Sequence, residues 1–370
     1  MNILTPVLEL VGSLGLLLYG MKLMSDGVQK SAGEKLQRTL SVVTSNKVVA
    51  ILTGMLITMI IQSSGATTVM VVTFVNAGLI SLAQSAGVIF GANIGTTITA
   101  WIVSIFGFNF KISAFAVPVV GLGYFLSIFK KRKYQNIGEA IMGFGLLFLG
   151  LSGLSSVFTP DQLGWMLNIK GTGASAIILG FLIGIVVTAL LHSSSAFSAI
   201  VITMAYNGLI SWELAAAMTL GSNVGSTVDS IMASMGTSAN GRRAALIHVM
   251  FNLFGTIVVL CFLKPFLDLV MFITPGQENS NIAIRISMLH TVFNIITTVV
   301  MTPLSGKLVK IAEFLIKDDP SEKKKVFKLE FIEYGGKENV ATYIIQAEKA
   351  IADMTDVVTD MFDKIQIGVT

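Results

Sequence analysis

Between Lys47 and Lys111 the chain carries no Asp, Glu, Lys or Arg. A water-facing fold needs a charged residue at roughly one position in four, so this stretch belongs in a bilayer. Residues 171–241 are nearly as bare, with Glu213 and Asp229 as their only charged groups. Across 370 residues, 12% are charged and 53% hydrophobic, and the mean hydropathy is +0.79. These values exclude a disordered chain, a nucleic-acid-binding module and an ordinary cytosolic enzyme. They predict a polytopic membrane protein, read as all-α, with the lipid bilayer as its solvent.

Apolar segments fall at about 3–21, 48–80, 84–106, 112–129, 136–153, 176–208, 213–236, 244–263 and 286–306. Lys22, Lys30, Lys35, Arg38 and Lys47 read as one basic loop. Lys130–Lys133 form a second basic cluster, Arg242–Arg243 a third, and the charged tail from Lys307 a fourth. The net charge of +4 resides there and calls for no nucleic-acid partner. The positive-inside rule puts all four regions, and so the C-terminus, in the cytoplasm. Segments 48–80 and 84–106 must then make an odd number of crossings. Segment 48–80 is broken at Gln62-Ser63-Ser64-Gly65. Each half is about 14 residues, roughly 21 Å as helix, too short to span. The expectation is a re-entrant helical hairpin. The same holds for 176–208, broken at His192-Ser193-Ser194-Ser195.

The chain repeats itself. At a constant offset of 130, residues 62–100 align with 192–230 without a gap and with 14 identities. Ser63/Ser193, Ser64/Ser194, Gly78/Gly208, Gly91/Gly221, Asn93/Asn223, Gly95/Gly225 and Thr97/Thr227 are among them. The register holds back to Glu9/Glu139, through Leu17/Leu147, Gly20/Gly150, Gly54/Gly184 and Thr58/Thr188. Under the topology above, one hairpin enters from the cytoplasm and the other from outside, as inverted repeats do. Three regions follow: repeat 1 at 1–133, repeat 2 with extra helices at 134–316, and a cytoplasmic helical tail at 317–370. In a smaller echo, Arg243-x4-His248-x2-Phe251-Asn252 recurs as Arg285-x4-His290-x2-Phe293-Asn294, and its His and Asn residues read as interhelical hydrogen-bonding groups. The stretch 337–366 has helical periodicity and an apolar stripe. It must pack within a larger domain or against another chain, as in a homo-oligomer. Cys261 reads as packed and inert, and no signal peptide is expected, since no positive charge precedes the first apolar run.

A broken helix leaves free N–H groups and a positive dipole end at the start of its second half. Ser63 and Ser64 stand where N-cap residues would. Two such ends, at Ser63–Ser64 and Ser193–Ser195, can converge on one anion at the midplane. Neutral hydroxyl and amide oxygens nearby suit a small hard cation such as Na+. Asp229 matches Thr99, and His192 matches Gln62. If Gln62 and Thr99 are neighbours, His192 and Asp229 should be too, as a coupled pair that binds a cation or exchanges a proton. No set of His, Cys and carboxylates has transition-metal spacing, and no nucleophile–base pair or nucleotide loop suggests an enzyme.

Gln62-Ser63-Ser64-Gly65-Ala66-Thr67-Thr68 with Gly91-Ala92-Asn93-Ile94-Gly95-Thr96-Thr97 resembles the first repeat of the type II sodium–phosphate cotransporters. His192-Ser193-Ser194-Ser195 with Gly221-Ser222-Asn223-Val224-Gly225-Ser226-Thr227 resembles the second. The resemblance covers about residues 5–310. It implies Na+-driven symport of inorganic phosphate by alternating access, with Na+ as coupling ion and no other cofactor. It puts phosphate on Ser63, Ser64, Ser193, Ser194 and Ser195. It puts Na+ near Gln62, Thr67, Thr68, Asn93, Thr97, Asn223 and Thr227. Bacterial relatives often carry a C-terminal domain similar to the PhoU regulators, and the 337–366 helix is compatible with its beginning. Gly65 in place of Ser, His192 in place of Gln and Asp229 in place of a hydroxyl depart from the pattern. With no Lys or Arg in either repeat core, dipoles, hydroxyls and co-bound Na+ have to offset the anion's charge. An H+-coupled oxyanion carrier and a membrane phosphate sensor stay open as alternatives.

Overall fold

The structure, a computed structural model, describes residues 4–32, 46–109, 112–159, 173–275 and 281–318, and the helical positions Thr355, Val358 and Thr359. The chain divides into two compact units, 1–318 and 319–370. The expected helix at 337–366 otherwise lies outside the described residues. The described residues of the first unit are arranged as helices joined by short turns. They form α1 (Leu4–Ala32), α2 (Lys47–Ile61), α3 (Ser64–Asn76), α4 (Leu82–Gly95), α5 (Thr97–Ile102), α6 (Ala116–Ser127), α7 (Arg132–Val157), α8 (Ala174–Leu191), α9 (Ser194–Tyr206), α10 (Trp212–Gly225), α11 (Thr227–Ser234), α12 (Ala239–Cys261), α13 (Leu263–Ile273) and α14 (Ile282–Leu315). A π-helical segment, Val103–Asn109, prolongs α5.

Among the described residues, six helical stretches are long and apolar enough to cross a membrane: Thr5–Ser31, Leu82–Phe108, Arg132–Val157, Ala174–Leu191, Ala239–Cys261 and Ile282–Leu315. Three expectations need correction. Lys22 and Lys30 lie inside α1, not in a loop, because the apolar face of α1 continues through Met24, Gly27 and Val28. The first half of the second break, α8, has 18 residues and reaches spanning length, since Ala174 and Ser175 extend the apolar run backward. Cys261 is exposed at the end of α12 rather than packed.

The repeat in sequence is a repeat in packing. Gly87 lies against Ala50, Gly91 against Ile51 and Met55, and Gly95 against Met55 and Thr58. The numbers rise together, so α2 and α4 run parallel. Their backbones approach too closely for a side chain at Gly91. Gly221 on Phe181 and Gly225 on Ile185 and Thr188 repeat the contacts between α8 and α10. Residues 77–81 join α3 to α4, so α3 returns to the end at which α2 began, and the two helices are arms of one helical hairpin. The Gly-Leu-Ile-Ser run that follows each hairpin makes the same turn. Gly78 and Gly208 take φ of 71° and 74°, and Leu79 N–H and Leu209 N–H each reach back 2.9 Å to a carbonyl five residues earlier. Ser81 and Ser211 then cap the next helix.

α1 and α7, equivalent across the repeat, pack on each other. Gly20 meets Gly143 and Leu147, Gly27 meets Asn136 and Ala140, and Gly150 meets Ser13 and Leu17. One number rises as the other falls, so the pair is antiparallel. Phe90 of α4 stacks on Phe251 of α12, with ring centroids 4.7 Å apart.

Candidate functional site

Both hairpins bend at the predicted residues, and for the same backbone reason. Gln62 and His192 adopt the left-handed conformation at φ 60° and 51°. Among the described residues they are the only non-glycine positions with positive φ. That conformation stops a helix, and Gln62 N–H closes α2 on Thr58 O at 2.7 Å. The next residues, Ser63 and Ser193, are extended, and their hydroxyl oxygens accept the N–H groups of Ala66 at 3.1 Å and Ala196 at 3.2 Å. They are N-caps, so α3 and α9 begin with uncommitted amides at residues 64–65 and 194–195.

The two bends face one cavity of about 410 Å³. Gln62, Ser63, Ser64, His192, Ser193, Ser194, Ser195 and Asp229 all line it, so the five serines expected around an anion come together with the expected coupling pair. Thr67, Thr68, Asn93, Thr97, Asn223 and Thr227 do not line it. They are buried, and the hydroxyls of Thr67, Thr68, Thr97 and Thr227 bond back to carbonyls three or four residues earlier. Asn93 Oδ1 accepts from Asn252 Nδ2 at 3.2 Å, and Asn223 Oδ1 accepts from His290 Nε2 at 3.0 Å. The repeated Asn motifs are thus joined to the His/Asn echo on α12 and α14.

Lys22, Ser25 and Asp26 of α1 also line the cavity. They were missed because they lie outside both broken segments. The spacing of Leu18, Met21, Lys22, Ser25, Asp26 and Gln29 along one helix face was their only signal. Ser25 Oγ donates to the carbonyl of Ile61, the last residue of α2.

Gly65, His192 and Asp229 form one constellation. Thr99 Oγ1 donates to Gln62 Oε1 at 2.9 Å, and at the equivalent positions His192 Nδ1–H donates to Asp229 Oδ1 at 2.7 Å. The contact predicted from the repeat register is present in both halves, neutral in one and ionisable in the other. A second pair of contacts crosses between the halves. Ser195 Oγ donates to Thr99 Oγ1 at 3.2 Å. At the matching place, Gly65 faces Asp229, and a methyl group at position 65 would come within 2.5 Å of Asp229 Oδ2. The carboxylate occupies the space that a serine at position 65 would fill.

Comparison with known proteins agrees with these motifs. The signature of the Na+/Pi-cotransporter family matches residues 16–156 and 166–302. The chain belongs to this family. The family is one of transporters, not enzymes. The uncharacterized protein YqeW of Bacillus subtilis (strain 168) is 29% identical over 81% of this chain and 94% of its own length. The putative inorganic phosphate export protein YjbB of Escherichia coli (strain K12) is 28% identical over 85% of this chain. The chain spans 56% of that relative's length. The sodium-dependent phosphate transport protein 2B of Rattus norvegicus is 33% identical over 34% of this chain and 18% of its own length. No solved structure matches.

Proposed function

We propose that the protein carries inorganic phosphate across the cytoplasmic membrane together with Na+, by exposing the cavity between the two bends to one side and then the other. The convergence of Ser63–Ser64 and Ser193–Ser195 on one cavity carries this reading. Each bend presents the start of a helix, with free amides and a positive dipole end, to the same volume. Na+ is assigned to Gln62, which lines the cavity, and to Thr67, Thr68, Asn93, Thr97, Asn223 and Thr227, which are buried outside its lining. The antiparallel packing of α1 on α7 supports two repeats of opposite orientation, and the hairpin return of α2–α3 supports re-entrance. The basic residues at 130–133 and 242–243 support a cytoplasmic C-terminus. The E. coli relative is named as an exporter. A coupled carrier runs whichever way its gradients point, so direction is a property of conditions.

Uptake of radiolabelled phosphate by the purified chain in proteoliposomes tests this. Uptake should rise with an inward Na+ gradient and fall to background in choline. Equal uptake in Na+ and choline would remove sodium from the mechanism. One observation favours a second reading, an H+-coupled oxyanion carrier: the His192–Asp229 contact inside the cavity. Counterflow with phosphate, sulfate and arsenate at several pH values separates the two.

A further inference from the structure

The two bends supply no permanent cation, yet the cavity wall contains one. Lys22 reaches it from α1, a helix outside the serine motifs. Its position is fixed by its neighbour on the same face, because the Ser25 hydroxyl is bonded to the Ile61 carbonyl at the tip of the first hairpin. Lys22 stands about one turn from that anchor, on the side away from the basic end of the helix. It lines the same cavity as the residues of both bends. Lys30, two turns farther along, is engaged at 2.8 Å by Glu139. Lys22 is different. Its side chain is exposed, and it makes no ion pair among the described residues, not even with Asp26 four residues on. A lysine partway along a membrane helix is costly unless it faces a polar cavity or serves a ligand.

We infer that Lys22 is the fixed cation that recognises the oxyanion in this cavity, favouring a tetrahedral dianion over a monoanion. The inference rests on the reading of the cavity as the phosphate site. An ammonium group suits the role, since it meets an anion as a point charge with three donors and demands no single orientation. It also revises the expectation from sequence that helix ends, hydroxyls and co-bound cations alone balance the anion.

The single native cysteine, exposed at the end of α12 and outside the cavity, permits a direct test. In a Cys261→Ser background, Lys22→Cys should raise the KM for phosphate uptake into proteoliposomes by about tenfold, while maximal turnover stays within about twofold. Treatment with 2-aminoethyl methanethiosulfonate restores a positive charge and should bring KM back to within about threefold of the starting value. The negatively charged sulfonatoethyl reagent should raise KM further. Lys22→Arg should bind nearly normally. A lysine that merely supported the fold would not be rescued by charge on the assembled protein. Unchanged KM in Lys22→Cys, or failure of the aminoethyl group to restore it, overturns the inference. Absence of saturable phosphate uptake by the Cys261→Ser protein itself would instead overturn the proposed function, and the role of Lys22 with it.

Discussion

Replacing Gly65 by alanine should be less favourable while Asp229 is present than when Asp229 is replaced by threonine. The new methyl group would lie 2.5 Å from Asp229 Oδ2, and ordinary contact begins at 3.4 Å, so the carboxylate must retreat by about 0.9 Å. The His192 Nδ1–Asp229 Oδ1 bond is 2.7 Å. A retreat of that size directed away from His192 lengthens it to about 3.6 Å, beyond hydrogen-bonding range. A charge-assisted bond contributes about 1.5–3 kcal/mol. The imidazole is 52% exposed, so screening by solvent reduces the expected loss to about 1 kcal/mol. Helix propensity works in the opposite direction, since alanine improves on glycine by up to about 1 kcal/mol within α3. The single variant therefore mixes two effects, and a double-mutant cycle separates them. In an Asp229→Thr background position 65 should accept the methyl group. The other half of the molecule already shows that arrangement, where Ser195 meets Thr99 at 3.2 Å. Helix propensity cancels in the cycle, so the coupling between Gly65→Ala and Asp229→Thr should be about 1 kcal/mol. Thermal unfolding in detergent reads it, at about 1–2 °C per kcal/mol for a chain of 370 residues. Additivity of the two substitutions to within about 0.5 kcal/mol would refute the idea that the three departures from the family pattern are one linked change.

Three other perturbations follow from the packing. Ser63→Ala and Ser193→Ala each remove an N-cap and should cost about 1 kcal/mol in thermal unfolding, with a rise in phosphate KM. Asn207 Nδ2, at the end of the second hairpin, donates to the carbonyls of Ser155 at 2.9 Å and Phe158 at 2.8 Å. Asn207→Ala, and equally Asn207→Asp, should lower stability by about 1–2 kcal/mol, since both leave the end of α7 without its donors. Gly91→Ala drives a methyl group into the Ile51 carbonyl and should reduce the yield of folded protein sharply, whereas Gly12→Ala, with no atom within 4 Å, should be neutral or stabilising.

The residues that interrupt an apolar run were legible. Gln62-Ser63 and His192-Ser193 stand out because a polar pair in lipid needs a reason, and the reason is a bend with a cap. The register of the repeat was also legible. It alone predicted the His192–Asp229 contact, which lies 37 residues apart in sequence. Lys22 was not legible. A charge near the end of an apolar segment reads as the start of a loop under the positive-inside rule, whereas α1 runs on to Ala32 with Gly20 and Gly27 packed against α7. Nor was the role of Gly65. A glycine in a serine motif looks like a loss until the carboxylate that fills its space is seen. The clamp by Asn207 was hidden too, because its repeat partner is Ala77, which has no donor to match.

The charge of the cavity wall also decides what must accompany an anion. One lysine against Asp26 and Asp229 leaves a net charge of −1 while His192 is neutral. A phosphate dianion entering that volume would bring the total to about −3. Two helix starts return about +0.5 each, so the loaded cavity remains near −2. About two cations would then have to enter with the anion on the proposed reading, and Asp229 accounts for one of them. Asp229→Asn should lower the number of Na+ ions carried per phosphate by about one. The same substitution keeps the size of the side chain and leaves room at Gly65. Dual-label uptake of radioactive sodium and phosphate in proteoliposomes measures the ratio directly. A ratio unchanged by Asp229→Asn, with transport intact, would mean that the carboxylate's charge is neutralised within the protein and that the coupling cations are held elsewhere.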